Sequence, residues 1–230
     1  EQVKVHFPRA GIIGEEHGLR FTPEDPDGMT VIMDGLDGTK AFNRRQQYGI
    51  GTMIAVIKDN QIIAAGVGNV NTGETIVYGP EDTTVIRERF GFIYNLKDAA
   101  AEKAEETYLQ LGKAPDQYPP AMQAVLKRPE DGGLFKQINI MNGSIGTMTA
   151  RLWCGEVGAM VTEPAYTPWD FAPVHGINKA LGLIYLRPNG DGKLEIYEPE
   201  MFYEVRKPQH PFEIITRPEY VRAIMKAYNG

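Results

Sequence analysis

The chain predicts a mixed α and β fold arranged in layers. Three observations carry that prediction: an apolar run at 30–33 that reads as a buried strand, an apolar strand pair within 51–70, and helical spacing of apolar residues behind Asp170. Strands and helices interleave without long all-α or all-β blocks, the pattern of layered mixed domains. At 230 residues the chain can bury a sizeable core. A single domain in two packed halves is expected, about 1–95 and about 96–230.

In chain order, Ile12 and Ile13 read as a short strand that ends at Gly14 and delivers Glu15 and Glu16 at its edge. Residues 22–29 are a turn-rich loop with two prolines. Gly51–Lys58 and Gln61–Val70 form a hairpin about Asp59-Asn60, which tolerate positive φ, and Thr75–Tyr78 adds a third strand. Residues 98–111 hold strong helix formers behind an Asp N-cap, with Gly112 as the stop. The Pro-punctuated stretch 114–133 has room for one short helix at most. A strand at 136–140, a helix at 146–156 and a strand at 159–162 follow. Asp170 opens a helix through Phe171, Val174, Ile177 and Leu181, with Pro173 in its first turn and Gly182 at its end. Leu183–Arg187 and Leu194–Tyr197 flank an Asn-Gly-Asp-Gly hairpin turn. Thr216 and Glu219 have capping-box spacing for a last helix ending near Tyr228.

Composition narrows the function classes. No run approaches the roughly 20 apolar residues of a membrane span, and residues 1–30 lack a signal-peptide pattern. A lone cysteine, Cys154, cannot form an internal disulfide and fits a reducing, cytoplasmic setting. The net charge of −6 argues against nucleic acid as the main partner. An anionic ligand would have to be met locally, by a metal or by Arg and Lys.

The chemistry centres on Asp34-Gly-Leu-Asp-Gly-Thr39 at the end of the 30–33 strand. Two carboxylates that close repel unless a cation sits between them, and Mg²⁺, a hard ion that takes oxygen ligands, suits the task. The Leu36 carbonyl could add another oxygen. The alternative is a Gly-rich surface turn. Gly14-Glu15-Glu16 upstream and Trp169-Asp170-Phe171-Ala172-Pro173 downstream complete the picture. Together the three motifs resemble the inositol monophosphatase family of Mg²⁺-dependent, lithium-sensitive phosphatases, over about residues 11–200.

The resemblance implies a layered α-β-α-β-α sugar-phosphatase-like fold and a Mg²⁺ site of two or three ions. Glu15, Asp34, the Leu36 carbonyl, Asp37 and Asp170 would hold them, with Asp37 and Thr39 in the catalytic motif and Thr39 orienting the attacking water. Gly38, Thr39, Gly146, Thr147 and Glu163 would contact the substrate. Each has a plainer reading: Asp170 as an N-cap, Thr39 as a turn residue, Gly146-Thr147 as a helix start, Glu163 as a solvated acid. The implied partner is a small phosphorylated metabolite, by default inositol monophosphate, and the expected assembly is a homodimer. Residues 37–42 and 51–55 also resemble the histidinol-phosphate branch. Fructose bisphosphate and adenosine bisphosphate stay open, as does a regulatory protein on a phosphatase scaffold. The family also uses an aspartate well upstream of its Gly-Glu-Glu motif and two leading helices. Only 14 residues precede Glu15, with Glu1 their single acid. The expectation is therefore a longer protein or a covering second chain, and slow turnover by the chain as it stands.

Other constellations fail. His6, His17, His175 and His210 lack zinc spacing, and residues 142–146 miss a nucleophile elbow by one position. Gly112-Lys113 and Gly192-Lys193 are not phosphate loops, and residues 189–192 lack the glutamate of a calcium loop. Trp153 and Trp169 read as core.

Overall fold

The computed structural model describes residues 2–16, 20–21, 28–80, 85–96 and 107–230. A short helix α1 (Gln2–His6), not expected from the sequence, leads into β1 (Gly11–Gly14), with β2 (Arg20–Phe21) antiparallel on its outer edge. Strand β3 (Thr30–Asp37) runs parallel to β1 on the other side, pairing Gly14 with Met33. That register sets Glu15 beside Asp34, and the Glu15 amide donates to the Met33 carbonyl at 3.3 Å.

After a single helical turn α2 (Thr39–Asn43), the strands β4 (Gly51–Lys58), β5 (Gln61–Asn69), β6 (Glu74–Tyr78), β7 (Ile86–Arg89) and β8 (Phe92–Asn95) meander antiparallel. The expected turn at Asp59-Asn60 is present, with φ of 50° and 61°. Strand β8 has no buried/exposed alternation, since every one of its residues is exposed, so no period marked it in advance.

The second sheet contains β9 (Tyr108–Leu111), β10 (Gln137–Ile140) and β11 (Ala159–Thr162), all parallel, then β12 (Ile184–Pro188), β13 (Leu194–Tyr197) and β14 (Glu213–Thr216). Helices α3 (Ile145–Trp153) and α4 (Pro168–Ala180) lie between the sheets, and α5 (Pro218–Asn229) covers the far side of the second. The core follows the period of two. In β11, Met160 faces α3 and α4 while Ala159 and Val161 face α5, and in β14 Ile215 and Ile214 divide the same way. The mixed α+β class predicted from the sequence is the one observed.

Several local expectations need correction. Tyr108–Leu111, expected as the end of a helix, form β9: Leu109 and Leu111 share one apolar face while Gln110 turns to the other. Residues 97–106, where the rest of that helix would fall, lie outside the described residues. So do residues 22–27 of the expected loop. The stretch 114–133 holds three short 3-10 turns, at Pro115–Gln117, Pro120–Ala124 and Pro129–Asp131, each opened by proline. Thr216 is no helix cap: it closes β14, donates to the Gly158 carbonyl at 3.0 Å, and Arg217 takes the N-cap position. Helix α4 begins two residues earlier than expected, with Thr167 as its N-cap, so Asp170 lies in the first turn and Pro173 inside the helix. Proline there supplies no amide to the Trp169 carbonyl one turn back.

Three glycines bring the 34–39 loop against the start of α3. A Cβ on Gly38 (φ 90°) would sit 2.1 Å from the Gly49 carbonyl oxygen, and one on Gly143 (φ 136°) 2.7 Å from the Gly49 Cα. The Ser144 amide donates to that same Gly49 oxygen at 2.8 Å. Both contacts are with backbone, so neither can yield cheaply. Gly38→Ala should cost at least about 1–3 kcal/mol, the usual size of a strained backbone position, read as a lower urea midpoint. A midpoint equal to wild type would show that the loop does not depend on this contact.

Candidate active site

Residues 34 and 37 are an odd number apart and would point to opposite faces of a regular strand. The pairing of β3 with β4 shifts register between them: Asp34 pairs with Met53 and Asp37 with Gly51, so two residues of β3, Gly35 and Leu36, face only Thr52. This bulge turns both carboxylates to the same side, where both are buried. The Leu36 amide donates to Asp34 Oδ1 at 2.8 Å, and the Thr39 hydroxyl donates to the Leu36 carbonyl at 3.3 Å.

Asp37 is gripped by the N-terminus of α3. Its Oδ2 accepts from the Ser144 hydroxyl at 2.5 Å and the Gly146 amide at 3.0 Å, and its Oδ1 from the Ile145 amide at 3.2 Å. The Thr147 amide is taken by Ser144 Oγ at 3.0 Å. Gly146 has a packing role as well, because a Cβ there would lie 2.6 Å from Met53 Sδ and 2.8 Å from Val67 Cγ1. Asp170 comes from the start of α4, where Thr167 donates its hydroxyl to Oδ2 at 2.5 Å and accepts the Asp170 amide at 3.4 Å. Two helix N-termini thus converge on the acids, with the sign of dipole that anions prefer.

Asp34, Asp37 and Asp170 each offer an oxygen, and these all lie within 4.8 Å of one another. Burial pushes Asp34 up to about 7, aided by a hydrogen bond and the charge of Glu15 and by the charge of Glu16. Asp37 rises to about 6 by burial, against the pull of its Ser144 and Gly146 bonds, and Asp170 to about 6 by burial and the charges of Asp37 and Asp34. Glu15 is exposed and outside the tight cluster, though in contact with Asp34. Glu163 is exposed and paired with Lys113 at 3.5 Å, yet it lines the same cleft of about 140 Å³ as Ile145 and Asp170. Ser144, Thr167 and Glu213 escaped the sequence reading. Thr167 was detectable, since Thr-x-x-Asp before an apolar helix is a capping pattern.

Strung between a bulged strand and two helix starts in a sheet–helix–sheet–helix frame, these carboxylates form the kind of donor set that a metal-dependent phosphatase uses. The sequence profile of the inositol monophosphatase family matches residues 1–210, and the chain belongs to that family. No curated protein matches. Solved structures of similar fold include an inositol monophosphatase from Thermotoga maritima (18% identity, TM-score 0.68, 99% of this chain and 77% of that one). The extragenic suppressor protein suhB from Bartonella henselae is similar at 16% identity and TM-score 0.71, over 100% of this chain and 83% of that one. A dual-specific inositol monophosphatase/NADP phosphatase solved with D-inositol-1-phosphate gives 16% and 0.67, over 98% and 78%. At these identities the likeness establishes the fold.

Two outcomes follow for the metal-free protein. Its aspartates hold protons up to about 6–7, whereas unfolded they release them near 3.8. The folded state therefore binds more protons in between, and the stability these groups contribute is lost as pH rises from about 4 to about 7. Thermal melts should show a lower Tm at pH 8 than at pH 5, and Mg²⁺ should raise Tm more at pH 8, because the metal replaces protons. Equal Mg²⁺ effects at both pH values would rule out these ligands. Asp37→Asn, expected from charge repulsion alone to leave the fold intact or slightly stabilised, should instead cost about 1–3 kcal/mol, since three donors lose their carboxylate. Asp170→Asn should cost less in the same urea titration.

Proposed function

We propose that this chain is a Mg²⁺-dependent phosphomonoesterase that hydrolyses a small phosphorylated alcohol. The observation that carries the reading is the cluster of buried Asp34 and Asp37 with half-buried Asp170, whose oxygens crowd within 4.8 Å. The donors are all carboxylates, with no thiolate or imidazole among them, and such a set fits a hard cation such as Mg²⁺. Asp34, Asp37 and Asp170 would hold it, with Glu15 and the Leu36 carbonyl as further oxygen donors. When bound, the metal neutralises phosphate charge and lowers the pKa of the attacking water.

The chain's own residues position the parts. Gly38, locked in its left-handed conformation, sets Thr39 at the start of α2, where its hydroxyl is held by the Leu36 carbonyl and can orient a water. Gly146 and Thr147 act through Asp37 and Ser144, because their amides are already engaged there. Glu163, on the cleft rim, reads a hydroxyl of the substrate.

Inositol monophosphate is the first substrate to test. Histidinol phosphate, fructose bisphosphate and adenosine bisphosphate belong in the same panel. The proposed setting is a cytoplasmic homodimer; among the described residues no helix is long and apolar enough to cross a membrane. A regulatory protein on this scaffold would gain nothing from three mutually repelling acids, two of them buried.

Phosphate release across that panel should require Mg²⁺ and vanish on chelation. Turnover that persists in chelator, or its absence on every ester with Mg²⁺ present, would refute the reading. Glu163→Ala should lower kcat/KM by about 1–3 kcal/mol on the true substrate and less on an aryl phosphate. Equal losses on both would make its role structural.

A further inference from the structure

Helix α4 carries Asp170 near its start and, further along, two residues that the phosphatase reading does not use, His175 and Lys179. Both line a pair of adjoining cavities of about 390 and 340 Å³. The two cavities share His175, Lys179, Glu198 and Pro199, and Lys179 and Glu198 are the only charged residues in either lining. The larger is walled by Ile62, Tyr78, Ala180 and Met201 and has the size of a small-molecule site.

The hydrogen bonds behind His175 fix where its proton sits. Trp153 Nε1 donates to Asn178 Oδ1 at 2.6 Å, which leaves the Asn178 amide nitrogen to donate to the Tyr185 hydroxyl at 2.6 Å. That hydroxyl then gives its own proton to His175 Nδ1, 3.3 Å away. Burial, aided by the nearby Lys179 charge, keeps the ring neutral, so its one N–H is at Nε2. This group has no hydrogen-bond partner among the described residues, yet it is not sealed from solvent. On a residue only 7% exposed, it opens into the cavities that the ring lines. A donor held at a largely apolar wall asks for an acceptor.

Lys179 says which acceptor. Its ammonium, one turn beyond His175, pairs with Glu198 at 3.2 Å, and the two side chains are 70% and 76% exposed. An ion pair so exposed opens at little cost, and a competing anion can replace Glu198 in it. We propose that the larger cavity binds a small apolar carboxylate, its head accepting from His175 Nε2–H and pairing with Lys179, its body against Ile62, Ala180 and Met201. An ammonium head could take Glu198 but would leave the His175 donor unmet. The position suits an effector, not a substrate. His175 stacks on Phe171, one turn nearer Asp170, with ring centroids 4.7 Å apart, and Phe171 lines the active cleft.

The probe is 4-phenylbutyrate, titrated into the protein in Mg²⁺ buffer and followed by two-dimensional NMR, with 4-phenylbutylamine as control. The acid should bind saturably with a Kd of about 1 mM or below, and the amine at least about tenfold more weakly. H175F should weaken the acid at least about tenfold, and E198Q, which frees Lys179, should tighten it. Excess inorganic phosphate, a competitor for the metal site, should leave the acid in place. The inference falls if the acid does not saturate, if the amine binds as well, or if phosphate displaces the acid. It falls equally if H175F binds the acid unchanged or E198Q fails to tighten it. Should H175F not fold, K179M takes its place, and undiminished binding to K179M overturns the proposal.

Discussion

The structure depends on one carboxylate doing two jobs. Asp37 ends the bulged strand of the first sheet and accepts three hydrogen bonds from the start of α3. Without it the start of α3 would lose three polar ties to the end of that strand. The same oxygens face Asp34 and Asp170. Cohesion and metal affinity therefore draw on the same atoms. The packing of Gly38, Gly49 and Gly143 around this joint follows from that demand, since side chains would hold the strand end and helix start apart.

The acids are tolerable where they are because helix ends surround them. Ser144 and Thr167 cap α3 and α4 and at the same time donate hydroxyls to Asp37 and Asp170. These bonds favour the ionised forms, while burial and mutual repulsion favour the protonated ones, and burial prevails. The result is a site poised to exchange protons for a cation near neutral pH. Trp153, Asn178, Tyr185 and His175 form one buried hydrogen-bonded chain beside the apolar face of α4, and burial holds His175 down at about 4, neutral at physiological pH.

Much of this was legible in the sequence, unevenly. The 30–42 stretch and the hairpin at 59–60 carry their own local signals, Gly and Asp at turn positions between apolar runs, and the structure has them in place. The β9 strand was misread because alanine and glutamate upstream favour helix, while the β identity of Leu109 and Leu111 comes from partners 29 or more residues away. Asp34 and Asp37 were grouped by spacing, but nothing in the sequence announces the bulge that turns both to one face. Ser144 was seen only as part of a failed motif, since its job depends on a contact with residue 37. Glu213 had no local pattern, and its hydrogen-bond partner Tyr197 comes from β13, two strands away in the sheet.

The joint between Asp37 and Ser144 links positions 107 residues apart. Closing so long a loop is entropically slow, and contacts of this separation come late in folding. On the ribosome, the antiparallel meander from β3 to β8 can pair as it emerges, but its acidic strand end has to wait until α3 has been synthesised. Asp170 arrives later still. The acidic cluster thus cannot close before α4 has left the ribosome, and a chain that stops short of Asp170 lacks one of its three carboxylates.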